Sequence, residues 1–518
     1  MSITSAIVSI PATLLIIIFL KVALGALWNR RKHGPYPPGP KGLPIIGNIL
    51  DLPKDNQGAV YMNWGKKYNS PIIFASAFGT NILVINKQKD ADELFDRRAR
   101  IYSGRPRIPI APLLGWDTCM IPLLPYGNYW RLCRKIMQQH FNKEAAKIYE
   151  PMILDHVHAM LARLLKHPEK LYEHSKLLSV SITLTMMYGY QARSNNDPLI
   201  VAADEAHHLG SSVLTPEASY INVFPVLRFI PPWFPGASSH KIAARTLSLT
   251  RMMQNFVTNF VEHSVANGTA IPSLSSEFLE KRKTIQVSED EIRATADVAF
   301  TTYGAASDTT MSANRTFFYL MAVNPEIQKK AQQEIDQVIG SARLPDFADR
   351  PFLPYVDAIY REVMRWQQSL HLGAPHELTE DDYYKGYFIP KGTMVMGNIW
   401  AMSHDEDVYS DPYAFKPERY LEDNGRLPKN DRIFAYGYGR RICAGQHVAS
   451  SIMWAIMASV LTCYEIGRDK DDFGNEIDIN DEYITEGLLT HKKPFKCSII
   501  PRAPIYRELI AESQKNIS

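Results

Sequence analysis

The sequence predicts a mainly α protein with a small β subdomain and one N-terminal transmembrane helix. Three observations carry this. The longest helical pattern opens on a capping box, Ser288 with Glu291 three residues on, and runs to about Val323, where Pro325 stops it. Alternating stretches that read as strands occur at residues 71–86, rich in Ile, Val and Phe, and 383–400. Residues 5–28 are apolar except for Lys21, and about twenty such residues span a bilayer as a helix.

At 518 residues the chain has room for several domains, yet no internal repeat, low-complexity tract or linker follows the first fifty residues. One large helix-rich domain is the simplest account. A formal net charge of +3, with no long basic run outside the N-terminal flank, argues against a nucleic-acid partner. Cys119, Cys133, Cys443, Cys463 and Cys497 are odd in number and lack paired spacing. They read neither as a disulfide nor as a zinc framework, and suit a reducing compartment.

Arg30, Arg31 and Lys32 follow the apolar run and, by the positive-inside rule, keep the rest of the chain cytosolic. A cleaved signal peptide is the alternative. The run is long and no small-residue cleavage site separates it from the basic flank, which favours a retained anchor. Residues 1–32 are therefore the anchor and its flank, and residues 33–50, with Pro35-Tyr-Pro-Pro-Gly-Pro40, a stiff proline-rich hinge. Residues 51–518 are the main body. On this topology the sequons at Asn267, Asn314 and Asn516 are chance matches, because glycosylation needs the lumenal side.

Within the body, residues 71–86 predict a hairpin turning at Gly79-Thr80-Asn81. Residues 103–127 read as loop, with five prolines among apolar side chains. Tyr129-Trp-Arg-Leu-Cys-Arg134 opens a helix that sets Trp130 and Arg134 on one face. Residues 140–215 read as helical, and His156, His158, His207 and His208 as surface or packed histidines rather than ligands. Residues 223–236, apolar, aromatic and broken by prolines, would be a liability on the surface of a soluble protein. The middle of the long helix, Gly304-Ala-Ala-Ser-Asp-Thr-Thr310, interrupts an apolar pattern with small and polar residues, which predicts a groove with room for a ligand and water. A charged helix over 325–339 precedes one over 353–366, which carries Glu362 and Arg365 on one face. Residues 383–400 read as strands, and 485–490 as a hairpin turn.

The chemistry concentrates in Phe434 to Gly445. Gly437, Gly439 and Gly445 let backbone turn tightly and approach a flat object. Cys443 would lie beside free amides at the start of an apolar helix, 448–461, and near Arg440 and Arg441, which favours the thiolate. A thiolate beside a flat cofactor is how proteins hold haem iron for O–O cleavage. The plain alternative is a glycine-rich turn with a structural cysteine.

Tyr436, Gly439, Arg441, Cys443 and Gly445 match, spacing for spacing, the haem-binding signature of the cytochrome P-450 family, which the chain resembles over almost its whole length. The family usually has phenylalanine at the place of Tyr436, a ring that shields the sulfur. The resemblance implies the cytochrome P-450 fold and haem b (iron protoporphyrin IX) with the Cys443 thiolate as axial ligand. It implies Trp130 and Arg134 on one haem propionate and His376 on the other. Asp308 and Thr309 match the acid–alcohol pair that delivers protons for dioxygen activation, with Ala306 where glycine is commonest. Glu362, Arg365 and Arg419 match a structural network that locks the cysteine loop. By the same resemblance, residues 103–127 cap the substrate pocket, with Ile110, Leu113, Leu114 and Trp116 as an apolar wall. Residues 223–236 become a lid dipping into the bilayer, and the 485–490 turn closes the pocket.

The expected activity is that of a membrane-anchored haem-thiolate monooxygenase, single-pass in the endoplasmic reticulum with its catalytic domain cytosolic. It would insert one oxygen atom from O2 into a small apolar substrate, aromatic, terpenoid or polyketide-like. Electrons would come from NADPH through a separate NADPH-cytochrome P-450 reductase, with cytochrome b5 as an optional second donor, because no flavin or dinucleotide fingerprint occurs in this chain. In detail the chain looks like fungal secondary-metabolism members, including those related to O-methylsterigmatocystin oxidoreductase, with xenobiotic oxidation as the other role. Two rivals use the same cysteine: a haem-thiolate isomerase or dehydratase that does not use O2, and a non-catalytic haem-binding membrane protein. Neither needs Asp308 and Thr309.

Overall fold

The computed structural model describes residues 32–214, 218–428 and 432–515. The expected membrane helix and Asn516 lie outside them. The described chain forms two compact units, each assembled from separated segments.

The first unit takes the chain up to Pro106, then His371–Asp405 and Gly437–Arg441. Its sheet contains β1 (Ile72–Ala77), β2 (Thr80–Ile85), β3 (His376–Glu377) and β4 (Met394–Gly397), in the order β1-β2-β4-β3. The β1–β2 hairpin is antiparallel, β2–β4 parallel and β3–β4 antiparallel. The hairpin turns at Phe78-Gly79, with φ of 47° and 81°, one residue earlier than predicted. Two left-handed residues give the twist a two-residue hairpin needs, and glycine supplies the second cheaply. Residues 383–400 are strands only in part. A second hairpin pairs Asp382–Tyr384 with Tyr387–Ile389, but Asn398 accepts the Ala401 amide at 3.1 Å and caps a short helix, Ile399–Ser403, that contains Trp400.

The proline-rich segment is not a free hinge. The Pro38 and Pro35 carbonyls accept the Phe74 and Phe388 amides at 2.8 Å each, and the Tyr36 ring stacks on Phe74. Residues 33–50 therefore belong to the first unit.

The second unit holds the long helices. Those that bear on the site are, in chain order, α1 (Asn128–Phe141), α2 (Glu150–Lys166), α3 (Leu171–Tyr188), α4 (Pro198–Ser211), α5 (Ser238–Ala266), α6 (Glu289–Val323), α7 (Pro354–Trp366) and α8 (Gln446–Cys463). The predicted capping box is present at the start of α6: Ser288 Oγ accepts the Glu291 amide at 3.2 Å, and Glu291 Oε2 accepts the Ser288 amide at 3.3 Å. A cap of this kind contributes about 1 kcal/mol. At 35 residues, α6 is about 52 Å long. Helix α8 is almost entirely buried. Among the described residues it is the one helix long and apolar enough to cross a membrane, and its burial marks it as a core helix. The prolines of 103–127 leave room for two short helices, Ala111–Leu114 and Ile121–Leu123. Asn314, a sequon by sequence, is buried against Ser175.

Candidate active site

The cysteine turn begins with a short helical turn, Phe434–Tyr436. Gly437 and Gly439 take φ of 80° and 56°, and a Cβ on Gly439 would lie 2.1 Å from the Phe95 carbonyl oxygen. Only glycine fits there. Gly445 has φ of −87° and open space about its Cα, so the local backbone does not itself demand glycine.

All five cysteines are free, and Cys443 is the one whose side chain is exposed. Protein nevertheless surrounds it on its other sides, as in a recess. That burial pushes the thiol pKa up, and the Gly445 amide and Arg134 pull it back only in part. The sequence expectation that helix amides and nearby arginines favour the thiolate is thus corrected: desolvation is the larger effect. Ligation of a metal would secure the thiolate by displacing the proton.

On α1, Trp130 is buried against Tyr126. Arg134 feels the Cys443 charge. The two stand on one face, as their spacing requires.

His376, Arg105 and Arg441 interact in the first unit. Arg441 Nε donates to the Ser103 carbonyl at 3.0 Å, and Arg105 Nη1 donates to the Ala374 and Pro375 carbonyls at 2.9 and 2.6 Å. His376 Nδ1 donates to the Tyr102 carbonyl at 2.7 Å. Burial, then Arg105, hold its pKa down to about 3. A neutral imidazole donating from Nδ1 offers a lone pair at Nε2, which repels a carboxylate. Arg105 and Arg441 stand close enough to His376 to add positive charge around it. Arg105 has no local signature; the fold alone brings it there.

The middle of α6 behaves unlike its ends. Residues 297–301 and 312–322 are mostly buried, but Ala305 is exposed and Ala306, Ser307, Asp308 and Thr309 keep partial access. The acid and the alcohol point differently. Phe300, Tyr303, Gly304, Ser307, Asp308 and Met311 share one face and line a cavity with Trp116. Thr309 lies on the opposite face, and its Oγ1 donates to the Ala305 carbonyl at 2.9 Å. Of the four residues expected to wall the pocket, only Trp116 lines this cavity; Ile110 and Leu114 are core.

Sequence reasoning missed His207. Its Nδ1 lies 3.2 Å from Asp308 Oδ2. The Asp204–Lys176 ion pair lines the same cavity. By contrast, His156 bonds Thr185 at 3.1 Å and is packed.

Glu362, Arg365 and Arg419 form one network. Arg365 donates from Nε and Nη2 to Glu362 at 2.7 and 2.8 Å, and Arg419 Nε donates to Glu362 Oε1 at 3.1 Å. The arginines also bind carbonyls of Ser410 to Ala414. The network therefore grips residues 410–419; the cysteine turn is tied to α7 elsewhere, through Tyr360 and Tyr436.

An accessible thiol in a recess beside Arg134, and a long helix whose small-residue middle keeps partial access, suit a flat, anionic, metal-bearing group. The comparisons agree with that class. The cytochrome P450 family model matches residues 37–499. The chain is 38% identical over 486 residues to cytochrome P450 monooxygenase ple1 of Rhodocybe pseudopiperita, covering 93% of this chain and 92% of that one. It is 38% identical to cytochrome P450 monooxygenase 208 of Postia placenta, covering 95% and 94%. It is 37% identical to cytochrome P450 monooxygenase COX2 of Coprinopsis cinerea, covering 96% and 95%. The chain belongs to the cytochrome P450 family. It is a haem-thiolate monooxygenase, an oxidoreductase that incorporates oxygen, which favours the oxygenase expectation over its two rivals.

Proposed function

We propose that Cys443 is the axial haem ligand and that the protein, anchored by its N-terminal segment, oxygenates a small apolar substrate with electrons from an NADPH-dependent reductase. The observation that carries this is the exposure of Cys443, alone among five cysteines, in a recess whose positive charge includes Arg134. When bound, the haem supplies electron acceptance, dioxygen reduction and oxygen-atom transfer. Trp130 and Arg134 on α1 would hold one of its carboxylates. Thr309 donates its own proton to Ala305 O, so its oxygen can accept a hydrogen bond from water and order it. Asp308 would hold the next proton at Oδ2, opposite His207. Ala305 and Ala306 present only methyl groups beside Thr309, which suits an apolar substrate.

Exposed Val226, Phe229 and Trp233, at 71%, 73% and 78% accessible, support lipid contact by residues 223–236 in addition to the anchor. Deleting residues 1–30 should then move much, not all, of the protein from membrane to supernatant. Glycan found at Asn267 would reverse the topology. The reaction is tested by microsomal co-expression with the reductase and a panel of aromatics, terpenoids and steroids. NADPH consumption that responds to no member, with no oxygenated product by mass spectrometry, would count against the substrate class.

A further inference from the structure

Tyr436 is held at both ends. Its carbonyl accepts the Cys443 amide at 2.8 Å. Its hydroxyl meets that of Tyr360 on α7 at 2.8 Å, and either can donate. Tyr360 is 2% exposed. Tyr436 keeps part of its surface, yet burial pushes its phenol pKa well above the usual value.

The contact continues inward. Ser450 on α8 lies near enough to the Tyr360 hydroxyl to offset part of the pKa rise that burial causes there. Ser450 Oγ accepts from Arg350 Nη2 at 2.8 Å, and the same nitrogen donates to Asp357 Oδ1 at 2.7 Å. The Arg350 guanidinium lies 5.9 Å from the Tyr360 ring centre and 5.7 Å from that of Trp454. One polar chain therefore fastens α7, α8 and the turn bearing Cys443. A hydroxyl pair in this setting is costly to break from one side, because the remaining hydroxyl loses its partner away from water.

We propose that the Tyr360–Tyr436 hydroxyl pair, backed by Ser450, is a latch that fixes the Cys443 sulfur and thereby its bond to the haem iron. Tyr360 is then a positioning residue acting through Tyr436. This rests on Cys443 being the ligand. The rival is that the pair only packs α7, in which case its loss lowers overall stability and leaves ligation untouched.

The test uses the full-length, haem-loaded protein and Tyr436→Phe, Tyr360→Phe and the double variant. The readouts are decay of the thiolate-type Soret band of the reduced carbon monoxide complex in mild denaturant, and helix unfolding by circular dichroism. Each single variant should speed the decay roughly tenfold, more than its shift in the unfolding midpoint accounts for. The double variant should decay no faster than the worse single, as one shared interaction requires. Tyr436→Phe removes one oxygen and keeps the ring; with Ser450→Ala, expected to act in the same direction more weakly, it carries the test if Tyr360→Phe fails to fold. Decay within about twofold of the wild type, multiplying effects in the double variant, or decay that tracks global unfolding would each overturn the latch. A wild type with no thiolate-type band would sink the ligand assignment and the latch together. A normal wild-type band with unchanged variants would sink the latch alone.

Discussion

His207 on α4 faces Asp308 on α6, imidazole Nδ1 to carboxylate Oδ2 at 3.2 Å, at the wall of a cavity that Thr309 does not line. The acid of the expected acid–alcohol pair thus has its own partner on another helix. If protons reach the open face of α6 through it, Asp308→Asn and His207→Ala should both slow oxygen consumption, by up to about a hundredfold. The double variant should be no slower than the worse single. Independent, multiplying effects would assign the two residues to separate tasks.

Thr309 predicts a different defect. Thr309→Ala should leave haem content and substrate binding nearly intact and damage coupling. NADPH use continues, hydrogen peroxide rises, and product falls by roughly a hundredfold. Tightly coupled, full product formation by this variant would place the proton route elsewhere.

The contrast between these residues shows what was legible in the sequence. Local rules reached far. The Ser288 capping box, the stop at Pro325 and the shared face of Trp130 and Arg134 depend on neighbours a few residues apart, and each appears where spacing puts it. The hairpin turn slipped by one residue because Phe78 accepts a left-handed φ that sequence rules assign to glycine or asparagine. Trp400 left the strand because the Asn398 cap outweighed alternation. His207 and Arg105 could not be found, since their partners are brought to them only by the fold. The acidity of Cys443 was misjudged for a related reason: charges and helix ends are visible in a sequence, and burial is not.

The Glu362 carboxylate is fully buried between two arginines, with Arg365 2% and Arg419 10% exposed. Glu362→Ala leaves those guanidinium groups facing each other without a counter-charge, a change that costs about 3–5 kcal/mol. Arg365→Lys keeps the charge and loses the two-pronged geometry, so it should cost less. Urea unfolding with haem retention as a second signal measures both. A loss under about 1 kcal/mol for Glu362→Ala would put the network in the class of surface pairs.

Three half-buried histidines, together with buried His376, set an acid limit. Burial pushes His156, His158 and His371 each down to about 4 from an ordinary 6.5. The unfolded chain then binds protons more readily than the folded one, so stability rises with pH across that window. It is fully present above about 6.5 and is lost progressively as pH falls toward about 4. Urea midpoints should decline over this range, and His156→Gln should flatten the decline. Stability that grows on acidification would contradict the burial.

Cys443 gives the sharpest test, because four internal controls exist in the same chain. Cys119, Cys133 and Cys463 are buried and Cys497 is half-buried, and burial pushes all four thiols up, Cys119, Cys463 and Cys497 to about 12 and Cys133 to about 11. Such thiols stay protonated and are poor ligands. Cys443 is also raised, with the Gly445 amide and Arg134 acting in the opposite direction, but it alone is exposed. Reduced protein with carbon monoxide should therefore give the thiolate-type Soret band in wild type and in Ala or Ser variants of the other four. Cys443→Ala should lose that band and all turnover while the helical signal of the second unit persists, since the side chain is exposed rather than part of the core. A thiolate-type band that survives in Cys443→Ala, or disappears in Cys133→Ala, would move the ligand to a different cysteine and take the proposed roles of Trp130 and Arg134 with it.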